Sequence, residues 1–104
     1  MILEEVIAED LKPVRRGGIT MYPAEALERI FGWAEGASRE LEWVEGVFYS
    51  PETDQGQLSL SYMCERGDEE YTSFRATCLS IVPEIEAEAA SNGMGAYFEV
   101  GVSD

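Results

Sequence analysis

The sequence predicts a single α+β domain over residues 1–104: an antiparallel sheet of about four strands, with two helices, or three, packed on one face. Three observations carry that reading. Residues 23–35 hold the clearest helical stripe, with Leu27, Ile30, Phe31 and Ala34 at i, i+3, i+4, i+7. Between residues 41 and 76, three short segments rich in aromatic and β-branched residues follow one another with short links, as in a meander. A second helical pattern over 80–91 then leads into an alternating segment at 95–102. Strands joined by short links and segregated from helices indicate an antiparallel sheet with helices on one side. At 104 residues, 45% hydrophobic and 11% aromatic, the chain suits one domain and can fill a core.

In chain order, residues 2–11 fit two patterns. Leu3, Val6, Ile7 and Leu11 make a helical stripe, while Ile2, Glu4, Val6 and Ala8 would share one side of a strand. The helix is favoured. Pro13 and Gly17-Gly18 then impose an irregular or extended stretch. The helix over 23–35 starts with Pro23, whose missing N–H costs nothing in a first turn, and Gly36 is read as its stop. Gly32, inside it, reads as a point where another backbone comes close. The strand from Leu41 to Tyr49 loses its alternation near Val44-Glu45-Gly46, which predicts a bulge at Gly46.

Gln57 to Cys64 alternates, with Leu58, Leu60, Tyr62 and Cys64 expected on one face and a wet face opposite. Glu65-Arg66-Gly67-Asp68 reads as a hairpin turn into a strand over 70–76, with Thr72, Phe74 and Ala76 on one side. Ser80 is the candidate N-cap of the 80–91 helix, Val82, Ile85 and Ala89 its buried stripe, and Gly93 its stop. In the last strand Ala96, Phe98, Val100 and Val102 share a face.

Composition narrows the function. There is no histidine, so Ser-His, Cys-His and His-metal arrangements are excluded. Neither a phosphate-binding loop nor a dinucleotide fingerprint is present. Pro51 to Gly56 lacks the spacing of a calcium loop. Cys64 and Cys78 have no redox or zinc spacing, and Cys64 reads as a packing thiol. Paired carboxylates carry no signal where 21 acids guarantee chance pairs. The expectation is a non-enzyme with no catalytic residue, cofactor or metal. No apolar run approaches the roughly 20 residues of a membrane span, and acid stands where a signal peptide carries base. A cytoplasmic protein with free thiols is expected.

Charge is the dominant feature. With 21 acids against 7 bases the net charge is −14, well past the magnitude of about 2–8 that keeps a small domain soluble. Self-repulsion at this density costs stability. Residues 39–104 hold 14 of the acids and only Arg39, Arg66 and Arg75, while Lys12, Arg15 and Arg16 form the one basic cluster. Three bases are too few for a nucleic-acid patch. They read as partners of local acids such as Glu9 and Asp10, and direct nucleic-acid binding is not expected.

The candidate partner-binding residues are Glu40 and Glu42 on one strand face, Asp68, Glu69 and Glu70 at the hairpin tip, and Glu84 and Glu88 one turn apart on a helix. Rows of carboxylate on a rigid domain can imitate the phosphates that Lys and Arg recognise. Trp33 at the helix edge, with Tyr22, Tyr49, Tyr71 and Tyr97, reads mostly as core or core rim, with room for one or two contact anchors.

In size and charge the chain resembles small acidic inhibitors of phages and mobile elements: anti-CRISPR and anti-restriction proteins, DNA mimics, and the immunity proteins of basic nuclease toxins. That resemblance implies an inhibitor occupying the basic nucleic-acid-binding surface of an effector or nuclease. The alternative is a small interaction or assembly module, a homodimer or subunit joined through an open sheet edge or the Trp33 helix. In that case the acid only provides solubility.

Overall fold

A computed structural model describes residues 13–16 and 19–102. The helix expected over 2–11 lies outside the described residues, as does the Lys12 end of the basic cluster. The elements are β1 (Val14–Arg16), β2 (Ile19–Pro23), a 3-10 turn (Ala24–Ala26), α1 (Leu27–Gly36), β3 (Leu41–Ser50), β4 (Gln55–Glu65), α2 (Tyr71–Ser80), α3 (Val82–Ser91) and β5 (Gly95–Val102). The strands form one antiparallel sheet of order β1-β2-β5-β3-β4. The α+β class holds, with five strands rather than four. The added strands, β1 and β2, pair across the Gly17-Gly18 link. At three and five residues they are too short to show an alternation, although Gly-Gly between extended residues is a hairpin signal.

Pro23 ends β2 and leads into the 3-10 turn, so the first helical region starts where expected. Leu27, Ile30, Phe31 and Ala34 are all fully buried. Gly36 is still helical; the positive φ falls instead on Ser38, and the Arg39 N–H closes the end on the Ala34 carbonyl at 2.8 Å. Gly32 is exposed, and a methyl built there would meet nothing within 4 Å. Among the described residues no backbone approaches it, so the close-approach reading is corrected.

The larger correction concerns residues 70–76. Residues 71–76 belong to the helix α2 and Glu70 is its N-cap, so no strand forms there. Tyr, Thr and Phe have strand propensity, but propensity yields to packing. Tyr71, Phe74 and Cys78 recur at i, i+3, i+7, and Phe74 and Cys78 are buried in the core while Thr72 and Ala76 are exposed. The Glu65–Asp68 segment therefore links strand to helix and is not a hairpin. Ser80 ends α2, its hydroxyl donating to the Thr77 carbonyl, and does not cap α3. Only Ile81 separates the two helices. In α3, Ile85 and Ala89 face the core and Val82 is half-buried. Gly93, at φ +72°, ends that helix as expected; the N–H groups of Gly93 and Met94 reach the Ala90 and Ala89 carbonyls.

The main core lies between the helices and one sheet face. Leu41, Val44, Phe48, Phe98 and Tyr22 come from the strands; Phe31, Phe74, Cys78 and Ile85 come from the helices. The opposite face is not simply wet: Met21, Val47 and Tyr49 are buried there, with Val14 and Tyr97 against them. The bulge falls between Glu45 and Gly46, as expected, but β4 absorbs three extra residues opposite it. Glu45 pairs with Met63, and Gly46 with Ser59. Hence Leu58 stands opposite Val47, which belongs to the second face, while Cys64 stands opposite Val44 on the helix face. Tyr62 and Cys64 both pack against the main core, as the alternation expects, while the side chains of Leu58 and Leu60 lie outside the described residues.

Candidate interaction surface

Acidic residues distant in sequence meet at one corner of the sheet, around Arg66. The backbone places them first. Leu41 opens β3 and its N–H donates to the Tyr71 hydroxyl at 3.3 Å, so Glu40 and Glu42 flank the start of α2. The Arg66 N–H donates to the Glu42 carbonyl at 2.9 Å, and the Glu69 N–H to the Arg66 carbonyl at 3.0 Å. The Arg66 side chain then ties the corner together. Its guanidinium pairs with the Glu40 carboxylate, its Nε donates to the Glu69 carbonyl at 3.0 Å, and it lies 5.0 Å from the centre of the Tyr71 ring. The Glu40 carboxylate, through that hydrogen bond, pushes the Arg66 guanidinium above its already high range.

Glu40, Glu42, Glu65, Asp68, Glu69 and Glu70 thus come from the segments that Arg66 ties together. Glu42, Glu65, Asp68, Glu69 and Glu70 are exposed and Glu40 is half-buried. Asp68 to Glu70 also precede the α2 N-terminus, where negative charge is favourable. Some of this acid therefore serves the fold. The helix needs no such number, and Glu40, Glu42 and Glu65 come from other elements.

Aromatic residues brace the corner from within. Tyr71 and Phe74 meet Phe31 edge-on at ring-centre distances of 6.0 and 6.1 Å. Arg75 pairs with both Glu35 carboxylate oxygens at 2.8 and 2.9 Å, joining α2 to α1 beside Phe31. Partial burial, and then the Glu35 and Glu40 carboxylates, push the Tyr71 phenol up.

Glu84 and Glu88 form a second patch on the exposed side of α3. They face Tyr62 of β4, whose phenol is pushed up by partial desolvation and then by these two carboxylates. The structure therefore brings Glu40 and Glu42 to Asp68, Glu69 and Glu70, but builds Glu84 and Glu88 into a different surface. Arg66, Glu65 and Tyr71 are the corner residues that the sequence reading passed over as turn and strand.

A third acidic feature lies on the sheet face away from the helices. Glu45 and Glu99 are direct cross-strand partners on β3 and β5. Burial, with Glu45 opposite, pushes Glu99 above the ordinary carboxylate range. Beside them Trp43 pairs with Gly101, and its indole occupies the space a side chain at 101 would need. No sequence signal marks this pair without the β3–β5 register.

Among the described residues no group of three or more His, Cys, Asp or Glu could hold a metal ion, and no helix is long and apolar enough to cross a membrane. Comparison with protein-family models, with curated proteins and with solved structures finds no match.

Proposed function

We propose that this chain is a non-enzymatic inhibitor that binds a basic nucleic-acid-binding surface of an effector or nuclease and keeps nucleic acid out. This is the DNA-mimic strategy of anti-CRISPR and anti-restriction proteins. The supporting observation is the Arg66 corner, where the Arg66 guanidinium pairs with the Glu40 carboxylate and the backbone of Arg66 to Glu69 is tied to Glu42, so that acidic residues from the start of β3 and from the link to α2 are held near one another. They stand on backbone fixed by hydrogen bonds, so little ordering cost opposes docking. Charge of this kind steers fast association with a basic groove, and its contribution weakens with salt. Membrane and direct nucleic-acid partners do not fit an acidic surface.

The test is capture of partners at low salt, with elution by a salt gradient and competition by DNA or RNA. One nucleic-acid-binding protein released by either treatment is the expected result. A mixture of unrelated basic proteins, held without competition by nucleic acid, would show the charge to be generic.

A second reading, a cytoplasmic assembly module, is favoured by a different observation. β4 is an edge strand, and from Gln55 to Cys64 it carries no charged residue. Such an edge can pair with another strand. A stable homodimer in dilute gel filtration, with no basic partner captured, would move this reading ahead.

A further inference from the structure

We propose that a groove between the start of α1 and the α2–α3 junction seats one arginine side chain of a protein partner. The nature of that partner rests on the inhibitor reading; the choice of arginine rests on the groove itself. It is lined by Ala24, Glu25 and Glu28 from the 3-10 turn and α1, and by Leu79, Val82 and Pro83 from α2 and α3.

The sequence builds the two halves separately. Ala26 and Leu27 turn into the core, so Glu25 and Glu28, three residues apart, are left outside on a common flank. Only Ile81 separates α2 from α3, which brings Leu79, near the end of one helix, beside Val82 and Pro83 in the first turn of the next. Pro83 suits that turn because its missing N–H would be unpaired there. α3 packs against the 3-10 turn and so closes the two halves on each other. Ala24 is buried, Leu79 and Val82 are half-buried, and both carboxylates are exposed. The groove thus has an apolar floor and an acidic rim.

Its volume of ≈ 220 Å³ lies below the roughly 300–1,000 Å³ of cofactor and small-molecule sites, which fits a single side chain. The complement of this lining is an apolar stem with a cationic head, a form that lysine and arginine share. Arginine suits it better. Its flat guanidinium is weakly hydrated and carries a fork of donors, so two separate carboxylates can be bonded at once. Among the described residues neither Glu25 nor Glu28 forms an ion pair. The first turns of α1 and α3 border the groove, and each helix start carries roughly half a positive charge. Two full carboxylates exceed that sum, so the site stays negative. A carboxylate at the α1 start also stabilises that helix, but this does not account for the apolar floor beside it.

The groove and the Arg66 corner lie toward opposite ends of α2. Tyr71 and Leu79 are eight residues apart, about 12 Å along a helix axis, a span well within one interface of about 800 Å² per partner. In this arrangement the corner steers a basic surface and the groove anchors it, as a pocketed arginine does at an interface hot spot.

The experiment titrates N-acetyl-arginine methylamide into the isotope-labelled full chain and follows backbone amide shifts by NMR. Saturable shifts at Ala24, Glu25, Glu28, Leu79 and Val82 are expected, with a dissociation constant of about 1–20 mM. Guanidinium chloride, which has no stem, and N-acetyl-norleucine methylamide, which has no charge, should each bind at least about fivefold more weakly. Glu25→Gln combined with Glu28→Gln should weaken binding of the arginine derivative by about fivefold or more. Should that variant not fold, the three titrations of the parent chain still decide. No saturation by about 100 mM, shifts centred on the Arg66 corner or on Glu84 and Glu88, equal binding of guanidinium chloride, or unaltered binding by the folded double variant would each overturn the proposal. The titration uses no partner. Arginine binding in a chain that captures no nucleic-acid-binding protein would uphold the groove and remove only the inhibitor reading. Capture without arginine binding would overturn the groove and leave that reading standing.

Discussion

Replacing Gly46 with alanine should destabilise the domain, although glycine-to-alanine changes in regular structure usually do the reverse. Gly46 sits at the β3 bulge and its φ is not in the left-handed region, so the backbone accepts a side chain. Space is the obstacle. A methyl there would lie 2.5 Å from Ile85 Cδ1 and 2.8 Å from Tyr62 Cβ, where carbon pairs rest at about 3.5–4.0 Å. Each neighbour must retreat by about 1 Å. Ile85 is fully buried under α3, and Tyr62 Cβ moves only with the β4 backbone. Overpacking of this kind costs about 1–3 kcal/mol, or a melting temperature lower by about 5–20 °C in a domain this small. Gly32→Ala is the internal control. It adds the same methyl to an exposed helix position with nothing within 4 Å, and should stabilise by about 0.5–1 kcal/mol. Thermal melts followed by circular dichroism read both. A Gly46→Ala protein melting at or above the parent would refute the packing of α3 onto the bulge.

Three further outcomes follow. Glu99→Gln should stabilise the fold at pH 7 by about 0.2–1 kcal/mol, because it removes one of two carboxylates facing each other across β3 and β5. Glu99 ionises at higher pH in the native state than in the unfolded chain. Its charge therefore costs stability as pH rises past the ordinary carboxylate value, and melts at pH 4 and pH 7 should show the advantage of Gln only at pH 7. Phe74→Ala should cost about 3–5 kcal/mol in urea unfolding, as expected for a core aromatic touching Phe31 and Tyr71; a loss below about 1 kcal/mol would contradict the helical placement of residues 71–80. Neutralising Glu84 and Glu88 together should leave corner-dependent binding within about twofold, since they face Tyr62 and not Arg66.

Elements with a long local pattern were legible in the sequence. The Leu27–Ala34 stripe, the Gly46 bulge and the Ala96–Val102 alternation each declare a face without reference to the rest of the chain. Failures arose where tertiary contacts decide. Residues 71–76 have strand-forming side chains, and the packing of Tyr71 and Phe74 on Phe31, with Cys78 buried in the core one turn on, goes with a helix. The irregular pairing of β4 with β3 inserts three extra residues between Ser59 and Met63, which period-two reasoning cannot anticipate. The same limit applied to the corner. Glu40, Glu42 and Asp68 to Glu70 could be chosen by charge, but their meeting required Arg66, whose role follows from a turn that proved to be a strand-to-helix link. The Glu45–Glu99 pair depends wholly on the register of β3 with β5.

The most direct test of the acidic-corner account is a binding measurement on a corner-neutralised chain. Glu40→Gln, Glu42→Gln, Asp68→Asn, Glu69→Gln and Glu70→Gln would be combined, with folding verified by melting. Affinity for the nucleic-acid-binding partner captured by the parent chain would then be measured across a salt series. The account predicts a loss of at least about tenfold at low salt, equivalent to about 1.4 kcal/mol, and a shallower salt dependence. Unchanged affinity and an unchanged salt slope in a folded variant would contradict it.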